Sequence, residues 1–223
     1  MTLNTFLFDL DGTIIDSIEL ILRSYRHTMA QHRGNEPMPP DDMWIQGLGT
    51  PLWAQFGQIT ADKDEIEAMV QTYRTYNLTH HDALVTPYEG VVAEIRRLKK
   101  HRKRLGVVTS KLHDGAMRGL RVSELDDAFD VVIGCDDVTH PKPRPEPVLK
   151  ALERLGVAAT ETVFVGDSRH DMESGRAAGV KTAAVLWGPF DPEVLAAVKP
   201  DFTIATPADL PPLVARLRRS DGT

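Results

Sequence analysis

Two carboxylates open the chain's chemistry. The first apolar run ends Phe8-Asp9-Leu10-Asp11-Gly12-Thr13. Residues at i and i+2 of an extended strand face the same side, and Gly12 permits a sharp turn with close backbone approach. One carboxylate can serve as nucleophile or metal ligand, and the other as proton donor. The competing reading is an ordinary turn, with Thr13 as helix N-cap and Asp16 as its capping-box partner. An EF-hand is excluded, because its glycine belongs at loop position six. A second run ends Val108-Thr109-Ser110-Lys111. A hydroxyl at a strand end, beside free amides, suits a phosphate oxygen, and equally suits an N-cap. A third signal, His140-Pro141-Lys142-Pro143-Arg144-Pro145, is either a stiff exposed polyproline ligand or a rigid arm that sets Lys142 against a phosphoryl group or a carboxylate cluster. Pro145 fits the first turn of the helix that follows. The fourth is Gly166-Asp167-Ser168-Arg169-His170-Asp171. Ser168 and Asp171 match a capping box, while Asp167 at the strand end reads as a magnesium ligand. That ion needs few carboxylates and draws other ligands from water and substrate phosphate.

Positioning these residues requires strands that end together. Six short apolar runs read as strands: Thr5 to Leu10, Leu105 to Ser110, Val131 to Cys135, Thr162 to Gly166, Thr182 to Trp187 and Asp201 to Ala205. From the second onward, helix-length segments separate them. Pro87 to Lys103 repeats Val91, Ile95 and Leu98 at helical spacing, and Pro145 to Leu155 repeats Val148, Leu149, Leu152 and Leu155. This alternation predicts an α/β fold, a doubly wound, Rossmann-like parallel sheet with helices on both faces. Ligands of such sheets bind outside the carboxyl ends of the strands, where all four signals lie.

The stretch between the first two strands is far longer than one crossover helix needs. Ile18, Ile21, Leu22, Tyr25 and Met29 share one helical face, and Ile66, Met69, Val70 and Tyr73 another. Pro37, Pro39, Pro40, Gly47, Gly49 and Pro51 punctuate shorter helices between them. Residues 17–83 therefore read as an inserted helical cap, and residues 1–16 and 84–223 as the α/β core.

The order, spacing and strand-end placement of these motifs resemble the haloacid dehalogenase superfamily of phosphohydrolases over essentially the whole length, helical cap included. The resemblance implies Asp9 as nucleophile, Asp11 as general acid/base, Thr109 with neighbouring Ser110 as phosphate binders, and Lys142 as charge stabiliser. It implies Mg2+ as cofactor, held by Asp9, by Asp11 through its backbone carbonyl, and by Asp167, with Asp171 in support. It also implies that Asp11 marks a phosphatase, since dehalogenases lack this second aspartate.

Within the superfamily, Tyr73-Arg74-Thr75-Tyr76-Asn77, His81-Asp82, Asp136-Asp137-Val138-Thr139-His140 and His170 before Asp171 resemble the bacterial inorganic pyrophosphatases linked to HPr kinase/phosphorylase. Phosphoglycolate phosphatases are the near relatives, although they commonly carry asparagine where Ser110 stands. The expected substrate is thus a small phosphate, first pyrophosphate and alternatively phosphoglycolate or another small monoester. Candidate cap contacts are His27, Gly49, Thr50 and Arg74. A sugar phosphomutase would need a sugar-holding cap motif. A non-catalytic binding protein would not need the full acidic set. A proline-motif adaptor would bind through residues 141–147.

Composition sets the outer bounds. The chain has 223 residues, 42% hydrophobic and 26% charged, with 26 Lys plus Arg against 32 Asp plus Glu for a net charge of −6. That is globular composition. An acidic chain without a basic stripe is a poor partner for nucleic acid or anionic membranes. The single Cys135 excludes an internal disulfide framework and a cysteine-rich zinc site. Cys135 itself reads as core. No apolar run approaches a membrane span, and the first residues lack a signal-peptide pattern, so a cytoplasmic enzyme is expected. Composition leaves the oligomeric state open.

Overall fold

The computed structural model describes residues 3–34 and 38–210. Pro37 and the basic run Arg216-Leu217-Arg218-Arg219, read as the end of a last helix, lie outside them. The strands are β1 (Thr5–Phe8), β2 (Ile15–Asp16), β3 (Thr86–Pro87), β4 (Arg104–Val108), β5 (Val131–Ile133), β6 (Thr162–Gly166), β7 (Lys181–Val185) and β8 (Phe202–Ile204). Six of them form a sheet in the order β5-β4-β1-β6-β7-β8, and every pair in it is parallel.

β1 is apolar at consecutive positions because both faces of the sheet are covered. Phe6 and Phe8 join one cluster with Ile95, Leu98 and Leu120, whereas Leu7 joins the opposite one with Val148, Leu152 and Phe164. The first face carries helices α5 (Val91–Lys100) and α6 (His113–Val122), and the second carries α7 (Glu146–Leu155). Helix α8 (Arg169–Ala177) packs on β6 and β7. Register matters most for function. Phe8 pairs with Val107 of β4 and Val165 of β6, so the three strands finish within one residue of each other, and Asp9, Thr109 and Asp167 share one edge.

Between β2 and β3 lie α1 (Ile18–Arg33), α2 (Asp41–Gln46), α3 (Leu52–Phe56) and α4 (Lys63–Leu84). They have their own core of Ile21, Tyr25, Met29, Trp44, Phe56, Met69 and Tyr73. The Tyr25 and Trp44 rings stack with centroids 4.4 Å apart. Trp44 is therefore core packing, whereas Trp53 is 60% exposed. The outgoing and returning connections pair antiparallel, Ile15 with Pro87 and Asp16 with Thr86. This short ribbon ties the helical cap to the core beside the end of β1. Asp62 caps α4 by accepting from the Asp64 and Glu65 amides (2.9 and 3.3 Å), as an N-cap carboxylate does. The Thr13–Asp16 capping box does not form. Helix α1 starts only after Ser17, and the Thr13 hydroxyl turns to the core instead. Among the described residues, no helix is long and apolar enough to cross a membrane.

Candidate active site

The adjacent strand ends deliver the side chains. Asp9 continues β1, its amide donating to the Val165 carbonyl at 2.9 Å, and Thr109 continues β4, its amide donating to the Ile133 carbonyl at 3.0 Å. Asp167 follows β6. All three are buried and line one cavity of about 350 Å3, whose other wall is the cap. Gly12 makes the turn after Asp11 with φ at +84°, and a Cβ there would stand 2.2 Å from Asp167 Oδ2. The turn thus needs glycine both for its backbone conformation and for its contact with the facing carboxylate.

Lys142 reaches in behind Asp9. Its Nζ lies 2.6 Å from Asp171 Oδ1 and 2.9 Å from Asp9 Oδ1. The lysine is 2% exposed, so the stiff proline-flanked segment is an arm that buries its cation, not a displayed ligand. Burial opposes the charge, but Asp171 and Asp9 outweigh it and hold Lys142 protonated well above its ordinary range. Asp171 is fully committed. Oδ1 takes Lys142, while Oδ2 accepts from the Ser168 amide (3.0 Å) and hydroxyl (2.6 Å), which completes the capping box of α8. It supports the site without facing the cavity.

Asp11 turns aside. Its Oδ1 accepts from Ser17 Oγ at 2.6 Å and Lys111 Nζ at 2.7 Å. Burial alone would raise this carboxyl, but Lys111 and then Ser17 prevail and hold it below the usual carboxylate range. Sequence reasoning missed Ser17 and Lys111, along with Thr13, whose hydroxyl donates to Asp167 Oδ1 at 3.1 Å. Lys111 carried a signal, as a cation one residue past the hydroxyl pair at a strand end. Ser17 and Thr13 carried none, because their partners are set by the turn and the sheet.

Three carboxylates, Asp9, Asp167 and Asp171, each offer an oxygen within 4.8 Å of the others. Burial first, and Asp171 after it, push Asp9 up to about 7 even against Lys142, and burial, then Asp171 and Asp9, push Asp167 well above the ordinary range. Asp9 Oδ1 lies near Lys142 but off the line of a hydrogen bond, so it is buried without one. One lysine cannot neutralise this cluster. An all-oxygen, crowded and buried set of this kind fits a hard divalent cation such as Mg2+. Asp9 and Asp167 have the free oxygens to hold it. The Asp11 side chain is occupied elsewhere, which leaves only its backbone carbonyl for the role the resemblance implies.

The cap candidates divide. Gly49, Thr50 and Arg74 line the cavity. Gly49, with φ at +90°, packs where a Cβ would meet Ser168 Oγ at 2.8 Å, and its carbonyl accepts from Ser110 Oγ at 2.6 Å. Ser110 therefore lines the cavity with its hydroxyl donated to the cap, while Thr50 Oγ1 donates within its own turn to the Gly47 carbonyl at 2.7 Å. His27 is not brought to the cavity. The helical phase of α1 turns it onto the Tyr76 ring, 4.5 Å between centroids, while Ile21 of the same helix faces the cavity. Cys135, expected in the core, also lines the cavity, but burial pushes its thiol up, away from a nucleophile.

Residues 6–185 match the model of the haloacid dehalogenase-like hydrolase family. The chain is 43% identical over 220 residues to a protein of Bacillus cereus strain G9842 named pyrophosphatase PpaX, covering 99% of this chain and 100% of that one. The protein of the same name from Bacillus mycoides is 42% identical over 217 residues, covering 97% and 99%. Among solved structures, a candidate haloacid dehalogenase-like hydrolase from Bacteroides fragilis superimposes with a TM-score of 0.86 at 31% identity, covering 93% of this chain and 99% of that one. A candidate phosphoglycolate phosphatase from Lactobacillus plantarum gives 0.85 at 27%, covering 96% and 100%.

Proposed function

This chain belongs to the haloacid dehalogenase-like hydrolases, and from that premise we propose that it hydrolyses inorganic pyrophosphate through a phosphoryl group carried on Asp9. The observation that carries the chemistry is the cavity floor, where Asp9, Thr109 and Asp167 meet on the ends of three paired strands with Lys142 behind them. The substrate follows the relatives named pyrophosphatase, which match this chain over 99% of its length.

In the first half-reaction an Asp9 carboxylate oxygen attacks the bound phosphorus. The P–O bridge bond breaks, and its electron pair stays on the leaving phosphate. In the second, water attacks the same phosphorus, the P–O bond to Asp9 breaks, and the pair returns to the carboxylate. Lys142 and the Thr109 hydroxyl offset the charge on the phosphoryl oxygens. Asp11, held as a carboxylate by Lys111 and Ser17, is in the form that accepts the proton of the attacking water. Mg2+ held by Asp9 and Asp167 would supply charge neutralisation for an anionic nucleophile meeting an anionic substrate.

The test is phosphate release with magnesium from pyrophosphate and phosphoglycolate in parallel, with EDTA and Asp9→Asn controls. A specificity constant for pyrophosphate above that for phosphoglycolate, lost in both controls, is expected. A preference for phosphoglycolate would overturn the substrate and retain the chemistry, and turnover surviving Asp9→Asn would overturn the chemistry.

A further inference from the structure

We propose that Arg74 of the cap and Lys111 of the core form a second anion subsite, which takes the phosphate leaving Asp9's reaction. This deepens the pyrophosphate reading and rests on it. The cap carries four arginines, and three are paired with carboxylates. Arg23 meets Glu19 at 2.7 Å, Arg33 meets Glu65 at 2.9 Å, and Arg26 meets Asp41. Arg74 differs. It is half-buried and lines the cavity, and among the described residues it has no hydrogen-bond or ion-pair partner.

Its charge acts within the cavity. The guanidinium partly offsets the upward push that burial and Asp136 give the thiol of Cys135, on the core wall of the same cavity. Arg74 and Asn77 share one face of α4, one turn apart, and both reach the cavity. Lys111 enters from the core side, 15% exposed, with Nζ 2.7 Å from Asp11 Oδ1. Asp114, on core helix α6, is the remaining carboxylate on the cavity wall. It is exposed and makes no ion pair with either cation.

A guanidinium withdrawn from water without an anion is costly, and its planar fork matches phosphate oxygens. The floor already supplies donors for one phosphoryl group in Thr109 and Lys142. Pyrophosphate brings a second, and Arg74, without a carboxylate partner among the described residues, and Lys111, whose ammonium has donors beyond the one shared with Asp11, lie on the walls of the remaining space. Leu48, Leu52, Tyr73 and Leu112 on the same walls limit water there and strengthen the attraction. The favoured substrate class is therefore a phosphoanhydride whose leaving group is itself a phosphate, over a monoester whose leaving group is neutral.

The test compares wild type, Arg74→Gln, Arg74→Lys and Lys111→Met, each with magnesium and each checked for folding by circular dichroism. Kinetics use pyrophosphate and p-nitrophenyl phosphate, and calorimetry measures binding of methylenediphosphonate, which is not hydrolysed. Loss of one charged hydrogen-bonding group should weaken methylenediphosphonate by at least about tenfold. In Arg74→Gln the KM for pyrophosphate should rise by a similar factor, lowering the ratio of pyrophosphate to p-nitrophenyl phosphate specificity constants. Arg74→Lys should recover part of the loss. Unchanged methylenediphosphonate affinity in either Arg74→Gln or Lys111→Met overturns the two-residue subsite. Wild type that turns over p-nitrophenyl phosphate but not pyrophosphate would sink the substrate reading instead, and the calorimetric comparison would still decide the subsite.

Discussion

Asp9 and Lys142 depend on each other in opposite ways. Asp9 is the group whose chemistry is at stake, so Asp9→Asn changes one oxygen to an amide and keeps the volume. Turnover should fall at least about a thousandfold, with the circular dichroism spectrum of wild type. Wild-type rates in a correctly folded variant would remove Asp9 from the reaction. Lys142 is a different case, because it is 1% exposed at its side chain and compensates two carboxylates at once. Lys142→Met leaves both buried without their cation, which costs about 3–5 kcal/mol for a broken buried pair. This variant should lose stability in urea melts as well as activity, and a stable but inactive protein would show that the pair contributes little to the fold.

Elements fix where those residues stand. The turn after β1 is one such device. Gly12→Ala costs about 1–2 kcal/mol from its positive φ alone, before the clash with Asp167 Oδ2. Lower thermal stability together with impaired turnover is expected, and a variant of unchanged Tm and rate would show that the turn relaxes freely. Far from the site, Asp130 ties α5 to the start of β4. One oxygen takes Lys99 Nζ at 2.7 Å and the other the Leu105 amide at 2.9 Å. Burial pushes this carboxyl up, but Lys99 and the Leu105 amide together outweigh it and set it below the ordinary range. A carboxyl lower in the folded than the unfolded state binds fewer protons when folded. Its stabilisation is therefore complete above the unfolded value near about 4 and is lost as pH falls through the folded value. Asp130→Asn should be less stable at pH 7 and should show a shallower fall of Tm from pH 5 to pH 3. Parallel curves for the two proteins would exclude Asp130 as a source of acid sensitivity.

Across the whole molecule, the crowded acids couple cation binding to folding. Asp9 and Asp167 come from strands more than 150 positions apart in the chain and meet only when the sheet is formed. A divalent cation that binds this pair binds the folded state alone and raises stability by mass action, about 2.7 kcal/mol at a hundredfold excess over its Kd. Millimolar Mg2+ should raise Tm, EDTA should reverse the rise, and Asp167→Asn should abolish it. An equal rise in Asp167→Asn would place the cation elsewhere. The cap is coupled to the same edge. Leu48 packs against the cluster containing Met172 and Phe190, and Ser110 donates to the Gly49 carbonyl. Arg118 of α6 adds a further tie, donating to the Asp82 carboxylate and the Leu78 carbonyl of α4, each at 2.7 Å.

The sequence by itself determined the six strands of the parallel sheet and the residues that end them, but not the short β2–β3 ribbon. An apolar run followed by Asp9, Thr109 or Asp167 is a local pattern, and a parallel sheet buried on both faces writes that pattern continuously. The helical insertion was legible too, because Ile18 to Met29 and Ile66 to Tyr73 repeat with the period of a buried helix face. Only the tertiary structure decided partnerships. Whether Lys142 lies against carboxylates or in solvent depends on where its arm lands after β5. Whether Asp11 faces the nucleophile or Lys111 depends on the register of β1 with β4. His27 and Arg74 looked alike as polar residues on cap helices, yet the phase of two packed helices sends one onto Tyr76 and leaves the other as a cation facing the cavity. Periodicity records which side of a helix is buried, whereas a polar side chain's partner is set by another element far away in the chain, and no local pattern encodes that.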